Sequence, residues 1–379
     1  MSLAKNVEFL RRLPRLNPMH GLGFYGRGQK PGLRSPLVEV TGFGSNPGGL
    51  KMFSYVPPNL SGRLALVVVL HGCGQRAAGY DLGAGWSTLA RRYGFALLMP
   101  EQQPVNNANT CFNWFNPEDV TRGRGEVCSI RQMIGKMTAD HPINRSRIFV
   151  TGLSAGGAMT SAMLATYPEV FAAGAIIAGL PYGVASNVRE ALSGMMQSSP
   201  RSARELGDLV RAASRHKGPW PKVSVWHGSA DRTVNPANAD EIVKQWLDLH
   251  SVQETPMSEA MVDGHPRRIW WNAGGETVIE SYTITDMAHG TPLGLVVDHD
   301  ERYGNEGAFL IEAGISSSYH IAGFFGLTRR LRQKTETAAT GANDRAAPAQ
   351  RSAPKPRARQ AIDVGGVITR ALTAAGLMK

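Results

Sequence analysis

Arg147-Ile-Phe-Val-Thr-Gly-Leu-Ser-Ala-Gly-Gly157 decides how the rest of this chain is read. The β-branched and aromatic run Ile148-Phe149-Val150 has the character of a buried strand. Ala158-Met-Thr-Ser-Ala-Met-Leu164, a few residues on, has that of a helix. Between them Gly152-Leu-Ser154-Ala-Gly156 fits the G-x-S-x-G pattern. Strand, motif and helix together form a nucleophile elbow, a sharp strained turn that lifts a serine hydroxyl to the top of a parallel sheet. The two glycines have a steric reason. A Cβ at either position would collide with the neighbouring strand or with the helix start.

Working outward, apolar strands alternate with helical patterns. Leu64-Ala-Leu-Val-Val-Val-Leu70 is an uninterrupted apolar run, which suits a strand covered on both faces. Before it, Val38–Gly44 and Leu50–Val56 alternate around Ser45-Asn-Pro-Gly-Gly49 and predict a hairpin. After it come a helix around Trp86–Tyr93, a strand at Phe95–Met99, a polar and aromatic loop from Pro100 to about Gly125, and a helix over Ile130–Asp140. Beyond the elbow, strands are expected at Ala172–Ala178 and Val223–Trp226, with a helix from Pro236 to Leu249. A strand pair near Ile269–Trp271 and Val278–Ile284 and a last helix at Ser317–Phe325 complete the pattern. This alternation predicts a doubly wound, mostly parallel α/β sheet. Residues 181–220 break the rhythm with two short helical patterns and read as an inserted helical cap beside the site.

The organisation expected is an irregular N-terminal segment over 1–35, a catalytic domain over 36–328, a basic flexible linker over 329–360 and a short C-terminal helix over 361–379. The net charge of +11 is concentrated in the tail: from Arg329 onward eleven Lys and Arg face three Asp and Glu. That leaves +3 on the body. A basic tail of this kind suits contact with an anionic surface or an acidic partner, or simply solvated disorder. Nucleic acid is a poor fit, because no aromatic residue follows Phe325 to stack on bases. No apolar run reaches membrane-spanning length. The first residues are broken by charges and lack the apolar core of a secretory signal. The expectation is a cytoplasmic protein, with secretion as the alternative. In that setting Cys73, Cys111 and Cys128 would by default be free, buried thiols. No metal motif and no cofactor motif is present, so neither is expected.

A serine hydroxyl needs a base to take its proton and a carboxylate to orient that base. In chain order, Asp231 follows the strand Val223–Trp226 and His289 follows the strand Val278–Ile284. Both therefore stand on loops at the carboxyl edge of the sheet, where open α/β folds place their sites. Asp231 as a helix cap and His289 as a surface residue are the structural alternatives. Asp286, Asp263 and Asp298 are rival carboxylates. The oxyanion requires two backbone N–H donors, expected from Ala155 and from Cys73 in the loop after Leu70. His71, in the same loop, reads as a loop-shaping residue rather than a base.

Five segments in order are similar to the polyhydroxybutyrate depolymerase family of esterases, α/β-hydrolases related to feruloyl and acetylxylan esterases. They are His71-Gly-Cys-Gly-Gln75, Cys111-Phe-Asn-Trp-Phe-Asn-Pro117, Arg122-Gly-Arg-Gly-Glu126, Gly152-Leu-Ser-Ala-Gly-Gly157 and His227-Gly-Ser-Ala-Asp-Arg-Thr-Val234. The resemblance covers residues 38–326. It implies an α/β-hydrolase fold, a Ser154–Asp231–His289 triad, an oxyanion hole from Cys73 and Ala155, and hydrolysis of hydroxyacid polyesters or related esters through an acyl-enzyme. It also implies that Cys73 and Cys111 lie close enough to pair and that Trp114 flanks the substrate crevice; a buried loop anchor is the other reading of Trp114. Many secreted relatives carry a signal peptide and a separate substrate-binding domain, neither of which is seen here. Many also have a tryptophan soon after the histidine, where this chain reads Ala288-His-Gly-Thr-Pro-Leu-Gly294. Both departures turn the expectation toward oligomers or small esters. A serine peptidase on the same fold is the remaining enzymatic alternative, and a tail-driven surface-binding protein the non-enzymatic one.

Overall fold

The computed structural model describes residues 34–198, 200–296 and 301–328. The expected N-terminal segment up to residue 33, the basic linker and the C-terminal helix lie outside the described residues, and so does Asp298.

The first ten strands are β1 (Val38–Val40), β2 (Lys51–Tyr55), β3 (Leu64–Leu70), β4 (Ala96–Glu101), β5 (Ile143–Leu153), β6 (Ala173–Ile177), β7 (Lys222–Gly228), β8 (Ser258–Val262), β9 (His265–Trp271) and β10 (Thr277–Ile284). They form one sheet in the order β1-β2-β4-β3-β5-β6-β7-β10-β9-β8. The six strands from β4 to β10 in that order run parallel, and antiparallel pairs close both edges. The helices are α1 (Ala77–Ala84), α2 (Trp86–Tyr93), α3 (Pro117–Val120), α4 (Gly125–Asp140), α5 (Ala155–Thr166), α6 (Val188–Met196), α7 (Ala203–Ala213), α8 (Ala237–His250) and α9 (Ser317–Phe324). Short parallel strands β11 (Thr291–Leu293) and β14 (Leu310–Glu312) pair outside the main sheet, as do antiparallel β12 (Leu295–Val296) and β13 (Glu301–Arg302).

Why β3 is apolar throughout is plain from its surroundings. Leu64, Leu66, Val68 and Leu70 enter the cluster on one face of the sheet, while Ala65, Val67 and Val69 enter the cluster on the other. Alternation along a strand sends successive side chains to opposite faces, so a strand between two helical layers has no polar side. Each buried Val or Leu contributes about 1.5–3 kcal/mol, which fixes the register at the centre of the sheet. Helix α5 is buried along its whole length and lies directly behind the elbow.

The glycines of the elbow are where the sequence predicts a steric limit, and the structure agrees. A Cβ on Gly152 would overlap the backbone of Gly156 at the helix start. One on Gly156 would overlap the carbonyls of Leu70 and His71 at the end of β3. Helix propensity favours Ala over Gly by about 1 kcal/mol, but overpacking against fixed backbone costs about 1–3 kcal/mol. The clash therefore wins. Gly156→Ala is expected to lower the unfolding free energy, measured by urea titration, rather than raise it.

Several elements escape the sequence pattern, among them α1, α3, β8 and the short strands β11 to β14. Helix α1 carries Gly79 and Gly83 in an eight-residue span, and Gly83 is there because Leu310 packs against it. Strand β8 is a largely exposed edge strand without an apolar face. Among the described residues no helix is long and apolar enough to cross a membrane.

Candidate active site

Ser154 stands between β5 and α5 with φ 57° and ψ −117°. A non-glycine residue in this region is strained, at a cost of about 1–3 kcal/mol. The turn is held by Ser154 N–H donating to Ile177 O at 2.9 Å and Ala158 N–H donating to Ser154 O at 2.8 Å. The strain leaves the hydroxyl facing the sheet's carboxyl edge, where the loops after β7 and β10 arrive.

Those two loops are locked to each other. Ser229 N–H donates to Ile284 O at 2.9 Å, and Ala230 N–H donates to Met287 O at 3.1 Å. Gly228, the last residue of β7, allows this approach, since a Cβ there would run into Met287 O. The result is that His289 Nδ1 lies 2.6 Å from Asp231 Oδ2, and His289 Nε2 lies 2.9 Å from Ser154 Oγ. Side chains 135 and 58 positions apart in sequence meet through one imidazole ring. With Nδ1–H donating to the carboxylate, Nε2 is the free lone pair facing the hydroxyl.

Asp231 also fulfils its structural alternative. Its Oδ1 accepts from Thr233 N–H at 2.8 Å and Val234 N–H at 2.9 Å, shaping the loop, while Oδ2 serves the histidine. A second histidine, which the sequence reading did not single out, contacts the same oxygen. His227 Nε2 is 3.2 Å from Asp231 Oδ2 and 3.0 Å from Val234 O. Both neighbours are acceptors, so Nε2 carries the proton; the buried Nδ1 has no partner among the described residues. Burial pushes the Asp231 carboxyl up, but hydrogen bonds from His227 and His289 outweigh it and hold the group well below the usual carboxylate range. Asp231 is therefore a fixed negative charge at neutral pH. Of the described rivals neither reaches His289: Asp286 contacts the other loop through its N–H to Ser229 Oγ, and Asp263 pairs with His320 at 2.8 Å.

The loop after β3 lies against the elbow. Cys73 N–H and Ala155 N–H have no acceptor among the described residues. His71 is not a base. It is fully buried, its Nδ1 donates to Gly72 O at 2.8 Å, and its Nε2 accepts from Gln102 N–H at 3.1 Å. Burial lowers its pKa to about 4, so it stays neutral. The loop is braced from outside by the segment 102–113. Gly74 N–H donates to Asn109 O at 2.8 Å, and Cys73 is joined to Cys111 by a disulfide. The default of free thiols is thus corrected for these two; Cys128 is free. Composition gave no sign of the pairing, because only the fold brings residues 38 positions apart together.

Glu126 secures the brace, giving the segment Arg122–Glu126 a physical role. It accepts from Asn113 N–H at 2.9 Å, Asn113 Nδ2 at 2.8 Å and Gln102 Nε2 at 2.5 Å. Burial, reinforced by Asp119, pushes its carboxyl up to about 8. Replacing both cysteines (Cys73→Ala with Cys111→Ala) is expected to lower the unfolding free energy by about 4 kcal/mol, on the chain-entropy account of a loop this long. Urea unfolding of the two proteins measures it.

Trp114 is only 9% exposed and packs in the same core cluster as Ala155, Ala158 and Leu180, with its ring edge-on to Phe115. That is the packing of a loop anchor. A different aromatic, Phe309, lies against the His289 ring. Among the described residues no group of three or more His, Cys, Asp or Glu is arranged to hold a metal ion.

With this geometry in view, the match of residues 50–262 to the family described as esterase PHB depolymerase is decisive, since it takes in more than half the chain. The chain belongs to the esterase PHB depolymerase family. Among curated relatives, poly(3-hydroxyalkanoate) depolymerase C of Paucimonas lemoignei is 46% identical over 292 residues, covering 77% of this chain and 70% of the relative. An acetylxylan esterase of Coprinopsis cinerea is 33% identical over 263 residues, covering 68% and 69%. Among solved structures, the acetyl xylan esterase from Aspergillus awamori superposes with a TM-score of 0.65 at 25% identity, covering 77% of this chain and 99% of that one. As a member of the esterase PHB depolymerase family, the chain is a carboxylic ester hydrolase with the α/β-hydrolase fold.

Proposed function

We propose that this protein hydrolyses short-chain hydroxyalkanoate polyester or its oligomers through an acyl-enzyme on Ser154. The observation that carries the mechanism is the His289 ring held between Ser154 Oγ and Asp231. The relative from Paucimonas lemoignei supports the substrate class.

In this reading Ser154 Oγ attacks the ester carbonyl while His289 Nε2 takes its proton. The negative charge of Asp231 stabilises the imidazolium so formed. The carbonyl oxygen, now an oxyanion, accepts hydrogen bonds from Cys73 N–H and Ala155 N–H. Collapse breaks the C–O bond to the alcohol, which leaves with the proton held on His289. Water then attacks the acyl-serine, gives a proton to the same nitrogen, and the acid departs as Oγ is reprotonated.

The cross-link between Cys73 and Cys111 supports work in an oxidising setting rather than the cytosol. The basic segment from Arg329 is proposed to hold the enzyme at an anionic or granule surface; salt-sensitive binding lost on deleting 329–379 tests that part. Rates on p-nitrophenyl butyrate, methyl ferulate, acetylated xylan and hydroxybutyrate oligomers test the substrate. The reading requires the oligomers to be preferred. Preference for acetylated xylan or ferulate would move the assignment to a polysaccharide esterase.

A further inference from the structure

Phe309 combines three features that folding alone does not favour. It is an aromatic side chain left 45% exposed. Its backbone is left-handed, with φ 61°. It occupies the third position of a tight turn, closed by Leu310 N–H to Gly307 O and by Gly307 N–H to Leu310 O, both at 3.1 Å. A positive φ at that turn position ordinarily selects Gly or Asn; a bulky residue there is strained.

The turn is held in place from two sides of the site. Gln75, in the loop carrying Cys73, donates Nε2–H to Ala308 O at 3.1 Å, and Thr291 N–H donates to Phe309 O at 2.8 Å, two residues past His289. These bonds set the Phe309 ring edge-on to the His289 ring, centroids 5.9 Å apart. His289 is the group from which a departing alcohol must take its proton, so an apolar wall on this ring borders the alcohol side of the ester.

We propose that Phe309 is a specificity-determining residue that packs against the alcohol portion of the substrate, which in a hydroxyalkanoate oligomer is the next hydroxyacyl unit. This rests on the acyl-enzyme reading above. The strained turn is the cost of presenting an aromatic face at that point, as at other functional sites.

The test compares esters that share one acyl group and differ in the alcohol: methyl butyrate, 2-naphthyl butyrate and a linear hydroxybutyrate trimer, with the parent protein, Phe309→Asn and Phe309→Tyr. Asn suits the left-handed turn, so Phe309→Asn is expected to melt within about 2 °C of the parent. It is expected to lose about tenfold in kcat/KM on the naphthyl ester and the trimer, the size of one lost aromatic contact, and under twofold on methyl butyrate. Phe309→Tyr keeps the ring and the parent's ratios. Equal losses on all three esters, or none, would overturn the proposal. A folded parent protein that hydrolyses none of them would instead sink the acyl-enzyme reading itself.

Discussion

Ser154→Ala is expected to lower kcat on p-nitrophenyl butyrate by about 10⁴- to 10⁶-fold, with KM little changed. The hydroxyl oxygen is the only atom removed, and it is the atom facing His289 Nε2 at 2.9 Å. The donors at Cys73 and Ala155 stay in place, so a residual rate about 10³- to 10⁴-fold above the uncatalysed reaction should persist. Alanine cannot relieve the φ of 57°, whereas glycine can. Ser154→Gly should therefore be as inactive as Ser154→Ala yet melt at a higher temperature. A strained nucleophile turn and a relaxed one are told apart by that pair in a thermal scan, independently of any substrate.

Asp231→Asn should lower kcat at neutral pH by about 10⁴-fold, the scale on which an amide in place of the orienting carboxylate has acted in an unrelated serine hydrolase. The hydrogen bonds around the group say why. Its two oxygens face four donors: His289 Nδ1, His227 Nε2, and the N–H groups of Thr233 and Val234. An amide offers one acceptor oxygen and an NH₂ that meets donors. The backbone donors are fixed, so the oxygen stays with them and the NH₂ turns toward the histidines. His289 then relaxes by moving its proton to Nε2, the tautomer that cannot accept from Ser154. The fixed charge that would stabilise an imidazolium is also gone. Asp286→Asn, by contrast, is expected to change kcat less than twofold, and the two rates measured side by side decide between the carboxylates.

Much of this was legible in the chain. The all-apolar run at Leu64–Leu70 announced a strand buried on both faces, and both core clusters meet on it. Trp86–Tyr93 matches a helix of the same bounds, because its caps are glycines and its stripe is clear. The elbow could be read because its strand, motif and helix are contiguous in the chain. The convergence of Ser154, Asp231 and His289 could be anticipated from order and strand ends alone, since a parallel sheet brings those ends to one edge. What stayed hidden depends on contacts between distant loops. His227 looks like part of a turn motif until its ring is seen on Asp231. Phe309 has no periodic signal, sitting in a turn where its residue type is disfavoured. The Cys73–Cys111 bond has no spacing rule and was to be expected only from the family resemblance, and Trp114, conspicuous in sequence, is mostly spent on packing.

The central claim is that the Ser154 oxygen, activated by His289, becomes covalently acylated. Intact-protein and peptide mass spectrometry after brief exposure to a fluorophosphonate and, separately, to p-nitrophenyl butyrate at low pH tests it most directly. The account predicts one adduct per chain, on the peptide containing Ser154, and none on Ser154→Ala. A folded, ester-hydrolysing protein with no adduct there, or with the adduct retained in Ser154→Ala, would contradict it.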